Sequence, residues 1–140
     1  MDIIYNNITK FFEEIFKDLE CQPDTKAYIV SIYSKYKCSD FDFSKDSITL
    51  LFAQARSKHD FLMYQNIGDW IFFINTVNPS HLNKASKDYY DTIARLSYHS
   101  CYKLINRQWK LFEELSDNYN KLESDVKNKL VINLNRVNFP

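Results

Sequence analysis

Residues 64–77 read YQNIGDWIFFINTV and contain the chain's single glycine, Gly68, followed by an acid and then by a run of bulky apolar side chains. As a helix, this region places Met63, Ile67, Trp70, Ile71, Ile74 and Val77 on one stripe at three- and four-residue spacing. Leu62, Phe72 and Phe73 cover much of the remaining circumference, and a helix apolar nearly all round belongs at the centre of a helical core. Two residues then stand against the grain. A mid-helix glycine costs about 1 kcal/mol relative to alanine and is kept where a neighbouring backbone or ring must come close. A buried carboxylate such as Asp69 has to be protonated or meet donors.

The rest of the chain reads as helices that surround this one. Ile4, Ile8, Phe11, Phe12, Ile15 and Leu19 recur at helical spacing over residues 3–20. CQPDT (21–25) breaks that helix, with Pro23 restricting the residue before it and Asp24 a candidate cap. KAYIVSIYSKYK (26–37) has strand-like composition but helical neighbours and no partner strand, so it is read as helix. A polar loop, CSDFDFSKDS (38–47), carries candidate caps Ser44 and Asp46 before a helix restarts at Ile48. NPSH (78–81) ends the central helix. A long helix over about 86–106 carries Tyr90, Ile93, Ser97, Cys101 and Leu104 along one side. From Trp109 onward, Phe112, Leu115, Tyr119, Leu122 and Val126 keep the period, with a bend near SDNYN (116–120). VINLNRVNFP (131–140) has no period and reads as a tail or arm. The expectation is an all-α, single-domain bundle of six or seven helices over residues 1–140.

Composition agrees. The chain is 45% hydrophobic and 16% aromatic with one glycine and three prolines, which suits long helices better than a turn-rich β fold. Eighteen basic side chains balance eighteen acidic ones, leaving no field to draw in nucleic acid or an anionic membrane. No run approaches the roughly 18 apolar residues of a membrane span, and MDIIYNNITKFFEEIF lacks the features of a signal peptide. Cys21, Cys38 and Cys101 are odd in number and irregular in spacing, pointing to reduced thiols in a cytoplasm.

Two segments carry a resemblance. IGDWIFFINTVNPSHL (67–82) is similar to a Gly-Asp-aromatic, Leu-Phe, Phe-Pro sequence, and DYYDTIARLSYHSCY (88–102) to an Asp-Tyr-Tyr segment leading into a helix of small residues and Tyr. With LFEELSDNYNKL (111–122), they resemble a family of small all-helical bacterial proteins of uncharacterised function. The chain departs from that pattern near Asn75 and Thr76, where the family has a glycine, and at Ala94. The resemblance implies an all-helical cytoplasmic bacterial protein and no particular reaction.

Within these segments the candidate site is Gly68, Asp69, Trp70, Arg95, Tyr98 and Cys101. Arg95 or Tyr98 is the expected donor to Asp69, and Ala94 and Ser97 offer small surfaces for Gly68 to meet. No metal site is expected: His59, His81 and His99 form no Glu-x-x-His or His-Glu-x-x-His pair, and His99 and Cys101 diverge on a helix. The same divergence weakens Cys101 as a nucleophile with His99 as base. One glycine excludes a phosphate-binding glycine loop, and no cofactor is implied. The many tyrosines suit a protein interface or the edge of an aromatic core with hydroxyls in water, and their helical positions favour the latter. The functional expectation is a protein that acts through protein–protein interaction, as adaptor or regulator, or through self-association. The alternative is a ligand- or cofactor-binding bundle with a pocket around Asp69, Arg95 and Tyr98. A saturated Asp69 favours the first, and a pocket with unpaired polar groups the second.

Overall fold

The computed structural model describes residues 3–37, 48–82 and 85–133. Among them run seven α-helices, α1 (Ile3–Ile15), α2 (Pro23–Lys37), α3 (Ile48–Lys58), α4 (Phe61–Val77), α5 (Lys87–Leu104), α6 (Lys110–Asp117) and α7 (Tyr119–Ile132), with a 3-10 turn at Pro79–His81 and no strand. The fold is all-α. The polar loop 38–47 with Cys38, Ser44 and Asp46, and the tail beyond residue 133, lie outside the described residues.

α4 is the central element. Every residue from Ile67 to Thr76 is buried, as its all-round apolar character predicts. It starts at Asp60, whose carboxylate accepts the Met63 N–H at 3.1 Å, and His59 at φ 50° makes the tight turn from α3. α5 packs antiparallel to it: Phe61 meets Cys101, Asp69 meets Tyr98, and Asn75 meets Asp91. α3 and α7 flank α4, and α2 crosses it, backed by α1. α1 and α2 are antiparallel, with Thr9 donating to Ser34 at 3.1 Å and the Lys26 ammonium to the Lys17 carbonyl at 2.6 Å.

Boundaries moved where local chemistry outweighed period. The first helix ends at Ile15, not near residue 20, because the chain turns there to bury both Phe16 and Leu19. Ile4, expected on the apolar stripe, is exposed. Pro23 is the first residue of α2, where its missing N–H is no loss, so the break lies before it and Asp24 sits in the first turn. The ambiguous KAYIVSIYSKYK run is helix throughout. Ser86 caps α5 by accepting the Tyr89 N–H at 3.1 Å; the helix stops at Leu104, an exposed residue, and Asn106 and Arg107 turn the chain at φ 57° and 60°. The expected bend near 116–120 is a break at Asn118 between α6 and α7.

The tyrosines lie deeper than expected. Tyr33, Tyr98 and Tyr119 are fully buried, and their hydroxyls meet Thr76, Asp69 and Asn75 rather than water. Rings from α2, α4 and the turn after α1 pack in tilted pairs, Phe16 on Tyr33 at 5.1 Å and Tyr33 on Phe73 at 5.5 Å between centroids. Such pairs add about 0.5–1.5 kcal/mol beyond area burial, and a hydroxyl bonded inside the core avoids the cost of desolvating it unpaired.

Candidate functional site

Asp69 is 2% exposed on the α5-facing side of α4. The Tyr98 hydroxyl donates to Oδ1 at 2.8 Å, the Tyr28 oxygen lies 2.8 Å from both carboxylate oxygens, and the Lys35 ammonium reaches Oδ2 at 3.3 Å. Gln65, one turn before Asp69, donates to the Tyr28 oxygen at 2.9 Å and fixes that ring. Burial pushes the Asp69 carboxyl above its ordinary range, against Lys35 and the two hydroxyls, which pull it down. Burial, reinforced by the Asp69 charge, pushes both tyrosines up, so both hydroxyls stay protonated and donate.

Gly68 belongs to the same device. A Cβ built on it would stand 2.9 Å from Cε1 and Cζ of Tyr98 and 3.2 Å from Cδ1. The close contact expected from Ala94 or Ser97 is therefore the Tyr98 ring itself, laid across the glycine so that its hydroxyl reaches the next residue's carboxylate. Gly68→Ala should destabilise by about 1–2 kcal/mol, overpacking outweighing the roughly 1 kcal/mol of helix propensity gained. Urea unfolding reads it, and a stabilised variant would remove the notch.

The remaining candidates divide. Cys101 is fully buried, with its thiol donating to the Phe61 carbonyl at 3.7 Å. Burial, with Asp69's charge, pushes that thiol well up, so it stays neutral and a poor nucleophile. Trp70 is buried but turns toward α2, 5.8 Å from Tyr36 and 6.5 Å from Phe73. Arg95 is not a donor to Asp69. It is exposed and bonds Thr92 at 3.3 Å, because position 95 lies on the outer face of α5. Sequence reading missed the donors Tyr28 and Lys35, and Gln65, which donates to the Tyr28 oxygen. Tyr28 and Lys35 are seven apart and share one face of α2, so a polar pair beside the apolar stripe was the available signal.

A second buried polar cluster joins α4, α5 and α7. Lys87 donates to Asp91 Oδ2 at 2.7 Å and Glu123 Oε1 at 2.6 Å, and the Asn75 amide donates to Asp91 Oδ1 at 3.0 Å and Tyr119 at 3.4 Å. Both acid side chains are under a tenth exposed, while Lys87 is 55% exposed and covers them from the solvent side. Glu123 Oε2 is buried without a hydrogen-bond partner. Burial pushes the Glu123 carboxyl up, Lys87 pulls it down and Asp91 adds to the rise.

Two open clefts are lined by described residues. One, of about 580 Å³, lies between the start of α2 and α6, with Gln22, Asp24, Lys110, Leu111, Glu114 and Asp117 among its walls. The other, of about 370 Å³, lies between the α1–α2 connection and α7. Neither is lined by any of the six candidate residues. Among the described residues no three His, Cys, Asp or Glu side chains are grouped to hold a metal ion, and no helix is long and apolar enough to cross a membrane. Compared with protein-family models, with curated proteins and with solved structures, the chain matches none.

Proposed function

We propose that the chain acts by binding another protein, as an adaptor or regulator in a bacterial cytoplasm. The observation that supports this most is the occupancy of Asp69. The acid best placed for chemistry accepts from Tyr28, Tyr98 and Lys35, which suits a clamp between helices rather than a poised reagent. Exposed apolar side chains lie elsewhere, Trp109 at 56% and Leu62 at 61% among them. Free thiols at Cys21 and Cys101 accord with a reducing compartment. A ligand pocket around Asp69, Arg95 and Tyr98 receives less support, since Arg95 points away from the other two.

Affinity purification from the native host, with mass spectrometry of co-purifying proteins and of extracted small molecules, tests the proposal. At least one protein should be recovered in stoichiometric amount. Recovery of the chain alone, or of a stoichiometric small molecule instead, counts against it.

A further inference from the structure

The polar cluster between α4, α5 and α7 holds two acids against one cation. Lys87 donates to both Asp91 and Glu123, at 2.7 and 2.6 Å, and both acids are under a tenth exposed. With both ionised, a negative charge would be left over in the core, where an unpaired charge is costly. The groups that face the pair, among the described residues, supply no second cation. α5 contributes Lys87 and Asp91. α4 contributes the Asn75 amide, which donates to Asp91 Oδ1 at 3.0 Å and to the Tyr119 oxygen at 3.4 Å. α7 itself places the Tyr119 hydroxyl beside Glu123, and α2 brings Tyr33, whose hydroxyl is paired with Thr76. Glu123 Oε2 is buried and has no hydrogen-bond partner among them. One proton on that oxygen meets both deficits, since a carboxylic acid supplies an O–H donor and carries no charge. Asp91 lies within hydrogen-bonding reach to accept it.

α7 depends on this cluster more than α5 does. α5 is tied to α4 along its length, through Cys101 to Phe61, Tyr98 to Asp69 and Asp91 to Asn75. The side-chain hydrogen bonds from α7 to α4 and α5 converge on the cluster, through Glu123 and Tyr119. Its ion pair from Lys121 to Glu20, at 4.0 Å, is exposed on both sides and holds little. We propose that a proton held between Glu123 and Asp91 latches α7 onto α4 and α5, and that α7 loosens as a unit when rising pH removes it. The proton leaves to solvent, and two carboxylates then face each other across the α5–α7 contact with one ammonium to serve both. Undocking uncovers Leu122, Val126 and Leu130, and the Phe72 ring that Tyr119 meets edge-on at 5.6 Å. Burial and the neighbouring acid both push the Glu123 carboxyl up, against Lys87. The latch is therefore complete below the ordinary glutamate range and is lost as pH rises through the folded value. It stands whether or not the chain binds a partner.

Native-state hydrogen exchange of the full chain from mildly acid to mildly alkaline pH tests the latch, each amide's rate being divided by its intrinsic rate at that pH. Protection of the α7 amides should fall several-fold as pH rises, relative to those of α4 and α5. That ratio cancels any change in global stability, including the part due to Asp69. Glu123→Gln and Asp91→Asn each leave one acid for one ammonium, so either should flatten the α7 profile, while Lys87→Met should steepen it. Circular dichroism establishes that the variants are folded. The two amide variants are independent, so one that folds is enough, and the native profile is decisive without either. Protection of α7 that does not change with pH, a fall shared equally by α4 and α5, or a slope that survives Glu123→Gln or Asp91→Asn would overturn the proposal.

Discussion

Asp69→Ala should lower the unfolding free energy by about 3–4 kcal/mol, which for a chain of this length is a fall of roughly 10 °C in Tm. The cost comes from what is left behind. The Tyr98 hydroxyl is fully buried and has no second acceptor among the hydrogen bonds of the described residues, and Tyr28 would keep only the Gln65 amide, itself a donor. Each orphaned hydroxyl costs about 1–3 kcal/mol. Lys35 adds little, because its side chain is 44% exposed and can return to water. Tyr98→Phe removes one donor and should cost less, and combining it with Asp69→Ala should cost less than the sum, since both delete the same bond. A melting temperature unchanged in Asp69→Ala would remove the clamp.

The charge of Asp69 separates from its acceptor role through pH. Its folded value is raised above the unfolded one, so the stability it contributes is full below the ordinary aspartate range and declines as pH rises through the folded value. Asp69→Asn cannot ionise and lacks that slope. It turns an amide donor toward Lys35 or the tyrosines and should cost about 1–2 kcal/mol in acid, with the gap from the native protein narrowing as pH rises. Urea midpoints at several pH values read this directly, and a gap that widens with pH would reverse the assignment.

The architecture was legible because α4 is apolar all round and its neighbours are amphipathic, two patterns that fix which helix lies inside. Gly68 and Asp69 were legible as anomalies for the same reason, each costing free energy in a buried helix. Tyr98 could be reached because it sits on the one long helix able to lie along α4. Arg95 could not be separated from it by residue type. Three positions along a helix is close to one turn, and the burial that puts Tyr98 inside and Arg95 outside depends on α5's rotation about its axis, which α4 and α6 set together. Tyr28 and Lys35 come from a helix whose crossing over α4 is a tertiary fact. The exposed Trp109 was invisible for the opposite reason: a tryptophan at the head of an apolar-periodic segment reads as core, and only the left-handed Asn106–Arg107 turn places it outside.

Lys87→Met should cost about 2–4 kcal/mol near neutral pH, the low end reflecting a lysine that is more than half exposed. Only the Lys87–Asp91 part of its cluster was readable, as an i,i+4 pair; Glu123 arrives from α7. Burial lowers the lysine's hold on its proton, but hydrogen bonds to Asp91 and Glu123 more than offset that, and its pKa is raised. That contribution is complete below the ordinary lysine value and is lost only as pH rises through the raised one, so it persists across neutral pH. Glu123 has the same sign for a different reason: its carboxyl is raised, so its contribution is complete below the ordinary glutamate value and declines as pH climbs through the folded one. Without the ammonium, two buried carboxyls face each other, and the penalty of Lys87→Met should grow with pH. Glu123→Gln removes the like charge, keeps the shape and should cost about 1 kcal/mol or less. The two together should then recover at least about 1.5 kcal/mol of the single Lys87→Met loss in a double-mutant cycle. If they add without coupling, the ammonium is not what holds these acids in the core, and α7 is docked by the buried Tyr119, Leu122, Val126 and Leu130 instead.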